Sequence, residues 1–533
     1  MASAGLLGES RPSGYPYECR RLQHLHYFRV ASELKNVSGE WLGPNGRGVG
    51  TCYFVSMRLL LFFLAAPLFA QTRCADMARL PNVTAAIQTA THCQVSITLR
   101  PAADSEIKSE VWLPAGSVWN GKLLMEGGGG LVGSINTEGM THAVREGYAS
   151  ASTDTGHTGS SGRFALGHPD KITDFAYRAV HKTAVAAKAL IAAYYGRGPR
   201  LSYWEGCSTG GRQGLMSAQR YPEDFDGIIA GAPAYNQIYI SAWRMRLLMT
   251  ALKSPQHALP PEKLKLLNDA VLDKCDSKDG VKDRLIEDPR NCNFHPSVLK
   301  CNGTETASCL TPQQLETVNT AYTDLWSSTG ELRYPHVPFG GELDWRLPAG
   351  ATEPGAMDID IFRYIGNQDP VWDWRSFDLE KDIDRALLHG NEIHAVNPDL
   401  AKFKASGSKL LMYHGWSDGG SDGSISALNT ISYYDSVLKQ MGPDQDDWFR
   451  LFMVPGMDHC GGGTGPNQFN KLAALERWRE QNEPPKSITI ARVNESGVID
   501  MIRPLCPYPQ QAVYKGSGST NDAANFTCKV KGN

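Results

Sequence analysis

Gly206-Cys207-Ser208-Thr209-Gly210 spells G-x-S-x-G. Set between a strand and a helix, this pattern lifts a serine hydroxyl onto a sharp turn, because glycines stand where side chains would collide. A tight glycine turn with an incidental serine fits the same five residues. Serine attacks a carbonyl only when a base takes its proton, so an aspartate and then a histidine are expected further along the chain. Two later turns supply them: His414-Gly415-Trp416-Ser417-Asp418 and Pro455-Gly456-Met457-Asp458-His459-Cys460. Asp418 is predicted as the carboxylate and His459 as the base, with Asp422 a rival because Gly419-Gly420 gives the loop freedom. The chemistry would be acyl transfer through Ser208, with the Thr209 N–H turned to the oxyanion. Cys207 precedes the serine and Cys460 follows the histidine. A bridge between them would staple the two turns and, over so long a loop, contribute roughly 5 kcal/mol.

These residues need a sheet to hold them. From Val111 to Gly231 short apolar runs alternate with helical stretches, the pattern of a parallel sheet covered by helices. Strands are expected over Lys122–Glu126, which runs into Gly127-Gly128-Gly129-Gly130, over Gly147–Ser152, and over Leu201–Glu205. A long helix is expected from about Asp174 to Tyr195, closed by Gly196, and another opening near Gly211. Lys409–His414 and Phe449–Val454 return to the strand pattern. Between Ala234 and Ser406 the text holds helices, loops, four cysteines and many tryptophans, which predicts an inserted lid. One lid helix is clear: Thr311 caps it, Pro312 takes its first turn, Gln314 completes a capping box, and Leu315, Val318, Tyr322 and Leu325 form one face. The fold class is α/β, a hydrolase-type core over 71–235 and 406–533 with a lid over 236–405.

The chain has 533 residues, 41% hydrophobic and 20% charged, with a formal charge of -3. No basic stripe points to nucleic acid or an anionic membrane. Met57-Arg58 followed by an apolar run to Ala70 reads as an export signal over 57–70, and it is shorter than the roughly 20 residues of a membrane span. Residues 1–56 then read as an upstream extension, with translation starting at Met57; a genuine extension leading into a buried strand or membrane anchor is the alternative. Ten cysteines follow Ala70, an even number suited to disulfides in a secreted or periplasmic protein. Zinc spacings are absent. Asp276, Asp279 and Asp283 crowd a loop bent at Gly280 and flanked by Cys275 and Cys292. Hard oxygens so placed suit calcium, and an acidic surface loop fits them too.

The run from Tyr177 through Gly231 with its Gly-Cys-Ser-Thr-Gly-Gly-Arg-Gln core, the Thr153-Asp154-Thr155-Gly156-His157 turn, His414–Asp418 and Asp458-His459-Cys460 together resemble the tannase and feruloyl esterase family. The likeness covers the chain from Cys74 onward. It implies a serine–aspartate–histidine site with a disulfide between the cysteines beside serine and histidine, matched by Cys207, Ser208, Asp418, His459 and Cys460. Members commonly carry proline after the aspartate, where this chain has Gly419-Gly420. The resemblance also implies a second oxyanion N–H from Gly129 or Gly130, and a structural calcium on Asp276, Asp279, Val281, Asp283 and Leu285. Bridges Cys301–Cys309, Cys506–Cys528 and Cys74–Cys93 are implied with it. Hydrolases of mono(2-hydroxyethyl) terephthalate share the family, so a small aromatic acid ester is the implied substrate, with Trp345, Trp372 and Trp374 as candidates for its pocket. A serine peptidase and a non-catalytic binder of phenolics or polysaccharide are the rival readings.

Overall fold

Alternation within the strands dictates two covered faces. Leu123 and Met125 join one apolar cluster while Leu124 joins a second. The split recurs as Ile228 and Ala230 against Ile229, Leu410 and Met412 against Leu411 and Tyr413, and Leu451 against Phe452. A strand buried on both sides requires helices on both sides. The computed structural model, which describes residues 72–345, 353–419 and 425–530, has this layering. The expected extension, the export signal and the rival Asp422 lie outside the described residues.

Among the described residues the main sheet has nine strands: β1 (Val83–Gln88), β2 (His92–Leu99), β3 (Ile107–Pro114), β4 (Lys122–Glu126), β5 (Ala149–Thr153), β6 (Leu201–Cys207), β7 (Gly227–Gly231), β8 (Lys409–Gly415) and β9 (Phe449–Val454). Their spatial order is β1-β2-β3-β5-β4-β6-β7-β8-β9. The first four in that order pair antiparallel, and from β5 through β9 all pairs are parallel. This is the α/β-hydrolase arrangement. Helices α1 (Thr137–Arg145), α2 (Ala179–Tyr195), α3 (Thr209–Arg220), α4 (Ala427–Met441) and α5 (Lys471–Gln481) flank it. Ala143 of α1 and Leu475 and Trp478 of α5 fill one face; Ala184 of α2, Leu215 of α3 and Ile431 of α4 fill the other.

Several boundaries differ from the sequence expectation. The antiparallel strands β1 and β2 were not anticipated, nor were the C-terminal pairs Ile488–Val493 with Ile499–Leu505 and Gln511–Tyr514 with Phe526–Lys529. The helix expected from Asp174 opens instead as a wide π turn over Asp174–Arg178 before α2. The cause is Arg212, whose guanidinium donates to the carbonyls of Phe175 and Ala176 at 3.2 and 3.0 Å. The helix capped by Thr311 has its capping box but stops at Ala321, with Tyr322 as its C-cap. Leu325 belongs to a short strand beyond it, because Arg246 takes the carbonyls of Thr320 and Asp324 as acceptors and turns the chain.

Among the described residues, 236–405 add no strand to the main sheet. Their apolar cluster includes Leu131, Phe175 and Ile425 from the flanking chain. Among the described residues five disulfides are present: Cys74–Cys93, Cys207–Cys460, Cys301–Cys309 and Cys506–Cys528, in agreement with the implied pairings, and Cys275–Cys292 flanking the acidic loop. Among the described residues no helix is long and apolar enough to cross a membrane.

Candidate active site

Ser208 sits where β6 ends and α3 begins, at φ 60° and ψ −122°, a conformation side-chain-bearing residues avoid. The turn is held from both sides: the Ser208 N–H donates to Gly231 O at 2.9 Å, and its carbonyl accepts from Arg212 and Ala234 N–H at 3.0 and 3.1 Å. Gly206 is required here, since a Cβ would lie 2.6 Å from the Gly210 carbonyl. These contacts give the strand–elbow–helix geometry that the five-residue motif predicts.

Asp418 and His459 come together at the ends of β8 and β9. His459 Nδ1 lies 2.6 Å from Asp418 Oδ2. Asp418 is fully buried, and its Oδ1 accepts the Ile425 N–H at 2.9 Å. Burial alone would raise this carboxyl, but the charge of His459 and the hydrogen bonds from His414 and His459 outweigh it and hold it at about 2. On His459 burial works to lower the imidazole, and the Asp418 carboxylate reverses the sign, leaving it raised. The disulfide beside Ser208 fastens the serine turn to the histidine turn: Cys207 is bonded to Cys460 with Cα atoms 5.9 Å apart.

His414, at the end of β8, was not singled out by sequence reasoning. Its Nε2 faces two acceptors, Asp418 Oδ2 at 2.9 Å and Ile425 O at 3.0 Å, so it carries the proton. Nδ1 then accepts from the Thr430 hydroxyl at 2.7 Å. The i, i+4 spacing of His414 and Asp418 around Gly415 was the available signal.

The glycine run after β4 lies against the elbow. The Thr209 hydroxyl donates to Gly130 O at 2.8 Å, and the Gly128 N–H donates to Gln213 Oε1 at 3.1 Å. Among the described residues the N–H groups of Gly129 and Gly130 carry no hydrogen bond, and the Thr209 N–H, in the first turn of α3, has no intrahelical acceptor. Gln213 therefore sets the loop's height. Arg212, fully buried and pushed down to about 9 by that burial, ties Phe175, Ala176 and Ile393 together. His157, from the Thr153–His157 turn, approaches Leu131 O at 2.8 Å and steadies the far end of the run.

The acidic loop is less uniform. Asp279, Val281, Asp283 and Leu285 line one small cavity, joined by Glu287. Asp276 turns its Oδ1 to the N–H groups of Asp283 and Arg284 at 3.1 and 3.0 Å. Burial pushes Asp279 up to about 6 and Glu287 up to about 8, so the cavity is short of positive charge. Arg503 meets part of that need at Asp283 Oδ2, 2.5 Å away. Among the described residues no three acidic, histidine or cysteine side chains are already arranged around a metal position. Trp345, Trp372 and Trp374 are all buried in the cluster of the inserted segment. They are core there, and Trp345 backs Gly419 directly behind Asp418.

Residues 93–529 match the family described as "Tannase and feruloyl esterase". The chain belongs to that family. An Aspergillus terreus protein named "Probable feruloyl esterase B-2" is 34% identical over 459 residues, covering 82% of this chain and 86% of its own. The solved feruloyl esterase B of Aspergillus oryzae superposes with a TM-score of 0.78 at 32% identity, covering 83% of this chain and 91% of that one. An esterase from the same fungus gives 0.79 at 31%, covering 86% and 99%. As a tannase and feruloyl esterase family member the protein is a carboxylic ester hydrolase, and its substrate is a small ester. The binder reading is thereby set aside.

Proposed function

We propose that the protein cleaves esters of aromatic, phenolic acids through Ser208, His459 and Asp418. His459 takes the Ser208 proton as Oγ attacks the ester carbonyl. The oxyanion is met by the N–H groups of Thr209 and of Gly129 or Gly130. Collapse of the tetrahedral intermediate breaks the ester C–O bond, and His459 returns the proton to the departing alcohol. Water, deprotonated by the same imidazole, then releases the acid from the acyl-enzyme. The observation that carries this reading is the 2.6 Å His459–Asp418 hydrogen bond beside a disulfide that ends one residue from Ser208. The names of the relatives support ferulate-type acids.

Residues 236–405 act in this reading as a lid over the acyl site, supported by Met357 packing on Gly130. Calcium held by Asp276, Asp279, Val281, Asp283 and Leu285 supplies the missing positive charge of the acidic loop, and stabilises without entering the chemistry. The five disulfides among the described residues support an exported protein.

Hydrolysis of methyl ferulate, methyl gallate and mono(2-hydroxyethyl) terephthalate by the full chain, beside Ser208→Ala, tests the proposal. Cleavage of at least one ester that vanishes in the variant is expected. An unchanged rate in the variant, or amide cleavage without ester cleavage, overturns it.

A further inference from the structure

The chain on either side of Asp418 is held from outside, by the inserted segment. Before it, the backbone of Gly340 and Gly341 lies against Ser417. The Ser417 hydroxyl donates to Gly340 O at 3.4 Å, and a Cβ on Gly341 would stand 2.5 Å from Ser417 O. Beyond it, Ile425 and Ser426 bond both inward and outward. Inward, the Ile425 N–H donates to Asp418 Oδ1 at 2.9 Å and the Ile425 carbonyl accepts from His414 Nε2 at 3.0 Å. Outward, the Ser426 N–H donates to the Tyr334 hydroxyl at 2.7 Å and the Ser426 hydroxyl donates to His336 O.

The outward bonds displace a local one. Ser426 is the N-cap of α4, where a serine hydroxyl ordinarily accepts an N–H of the first turn; here it is turned to the inserted segment instead. The partners are themselves fixed. Tyr334 ends the short strand Leu332–Tyr334, is 1% exposed, and packs its ring on Trp243 with centroids 5.7 Å apart. His336 is tied to Asp324, whose Oδ1 accepts its N–H at 2.9 Å and lies 2.7 Å from its Nδ1. A tyrosine hydroxyl this deep needs a partner, and burial pushes it up, so it meets Ser426 as a neutral acceptor.

We infer that Tyr334 is a positioning residue for the carboxylate: its hydroxyl fixes Ser426, Ser426 sets Ile425, and Ile425 aims Asp418 Oδ1, which leaves Oδ2 facing His459. The inference rests on Asp418 being the carboxylate of the triad. It makes residues 334–341 of the inserted segment a fixed brace for that triad, besides the segment's part in covering the acyl site.

The test uses whichever of methyl ferulate, methyl gallate and mono(2-hydroxyethyl) terephthalate the wild type cleaves fastest. It compares kcat, KM and the pH dependence of kcat/KM, well below melting, for the wild type, Tyr334→Phe, Ser426→Ala, Asp418→Asn and the double variant Tyr334→Phe/Asp418→Asn. Tyr334→Phe keeps the ring and loses the acceptor. Its kcat is expected to fall about tenfold with KM little changed, the effect of one lost buried hydrogen bond. Its acid limb moves to lower pH, because a misaimed Asp418 raises His459 less. Asp344 and Arg244 of the inserted segment also act on His459, with opposite signs, and neither is altered. Ser426→Ala cuts only the bond to His336 and should lower kcat about threefold, moving the limb the same way. In the Asp418→Asn background Tyr334→Phe should cost less than about twofold, since the group it acts through is gone. A residue that merely stabilised the fold would lower the melting temperature and leave kcat and the limb unmoved. That result, or a loss of equal size with and without Asp418, overturns the inference. If Tyr334→Phe does not fold, an unmoved kcat and limb in Ser426→Ala overturn it. Wild-type kcat in Asp418→Asn would instead strike the reading of the triad.

Discussion

Two imidazoles share the Asp418 carboxylate, and this arrangement fixes how the site responds to pH. Because Asp418 raises His459 above its ordinary 6.5, this imidazole is neutral only at higher pH, and with His459 as the proposed base the acid limb of kcat/KM is expected above that value. Asp418→Asn removes the cause. Its limb moves to lower pH and kcat falls by about 10⁴-fold, which a pH–rate series measures directly. Stability follows with opposite signs. Asp418, held at about 2 against 3.8 unfolded, contributes above pH 3.8 and loses that contribution as pH falls toward 2. His459, raised, contributes fully below 6.5 and loses it as pH rises through the folded value. His414 is a positioning residue. His414→Ala is expected to lower kcat about tenfold with KM little changed, and His414→Gln to recover part of it through a hydrogen bond to Oδ2. Ser208, Asp418 and His459 stood out as candidates because each lies in a turn after a strand, in a motif of fixed order. His414 did not, since a histidine closing a buried strand has no pattern of its own until Ile425 and Thr430 fold over it.

At the scale of elements, the glycine loop packs its backbone against the elbow and is fixed there by two side-chain hydrogen bonds. The Thr209 hydroxyl makes one of them, so Thr209→Val, nearly isosteric, should lower kcat about tenfold while shifting the melting temperature little. An equal loss of melting temperature and activity would show that the bond is merely structural. Cys207–Cys460 closes a separation of 253 residues, worth about 5 kcal/mol in the chain-entropy account. Paired replacement by serine is expected to cut both urea stability and kcat, because Ser208 and His459 then drift independently. The parallel strands were legible from unbroken apolar runs such as Leu410-Leu411-Met412. The edge strand β1 buries no residue fully and its neighbour β2 alternates buried with half-buried ones, a weaker pattern set among threonines and serines. The π turn at Asp174 was invisible for another reason: its cause, Arg212, lies on a different helix.

Over the whole molecule, the C-terminal hairpins clamp the acidic loop of the inserted segment. Arg503 binds Asp283, the Ala512 N–H donates to Glu287 at 2.6 Å, and Gln511 donates to Asp288 at 2.8 Å. This clamp was not legible, because the partners lie more than 200 residues apart in sequence. It also bears on calcium. Arg503→Met leaves Asp283 nearly buried without its cation, which should cost about 3 kcal/mol in urea unfolding. If calcium occupies the neighbouring cavity, it supplies positive charge that the variant now needs more than the wild type does. Added calcium should then raise the melting temperature of both proteins, and that of Arg503→Met by more, while a chelator lowers both. Equal melting curves with calcium and with chelator would leave the loop held by Arg503 and backbone N–H groups alone. Either way, ester hydrolysis at saturating substrate should change little below the melting transition, since the loop stabilises the molecule from outside the Ser208 site.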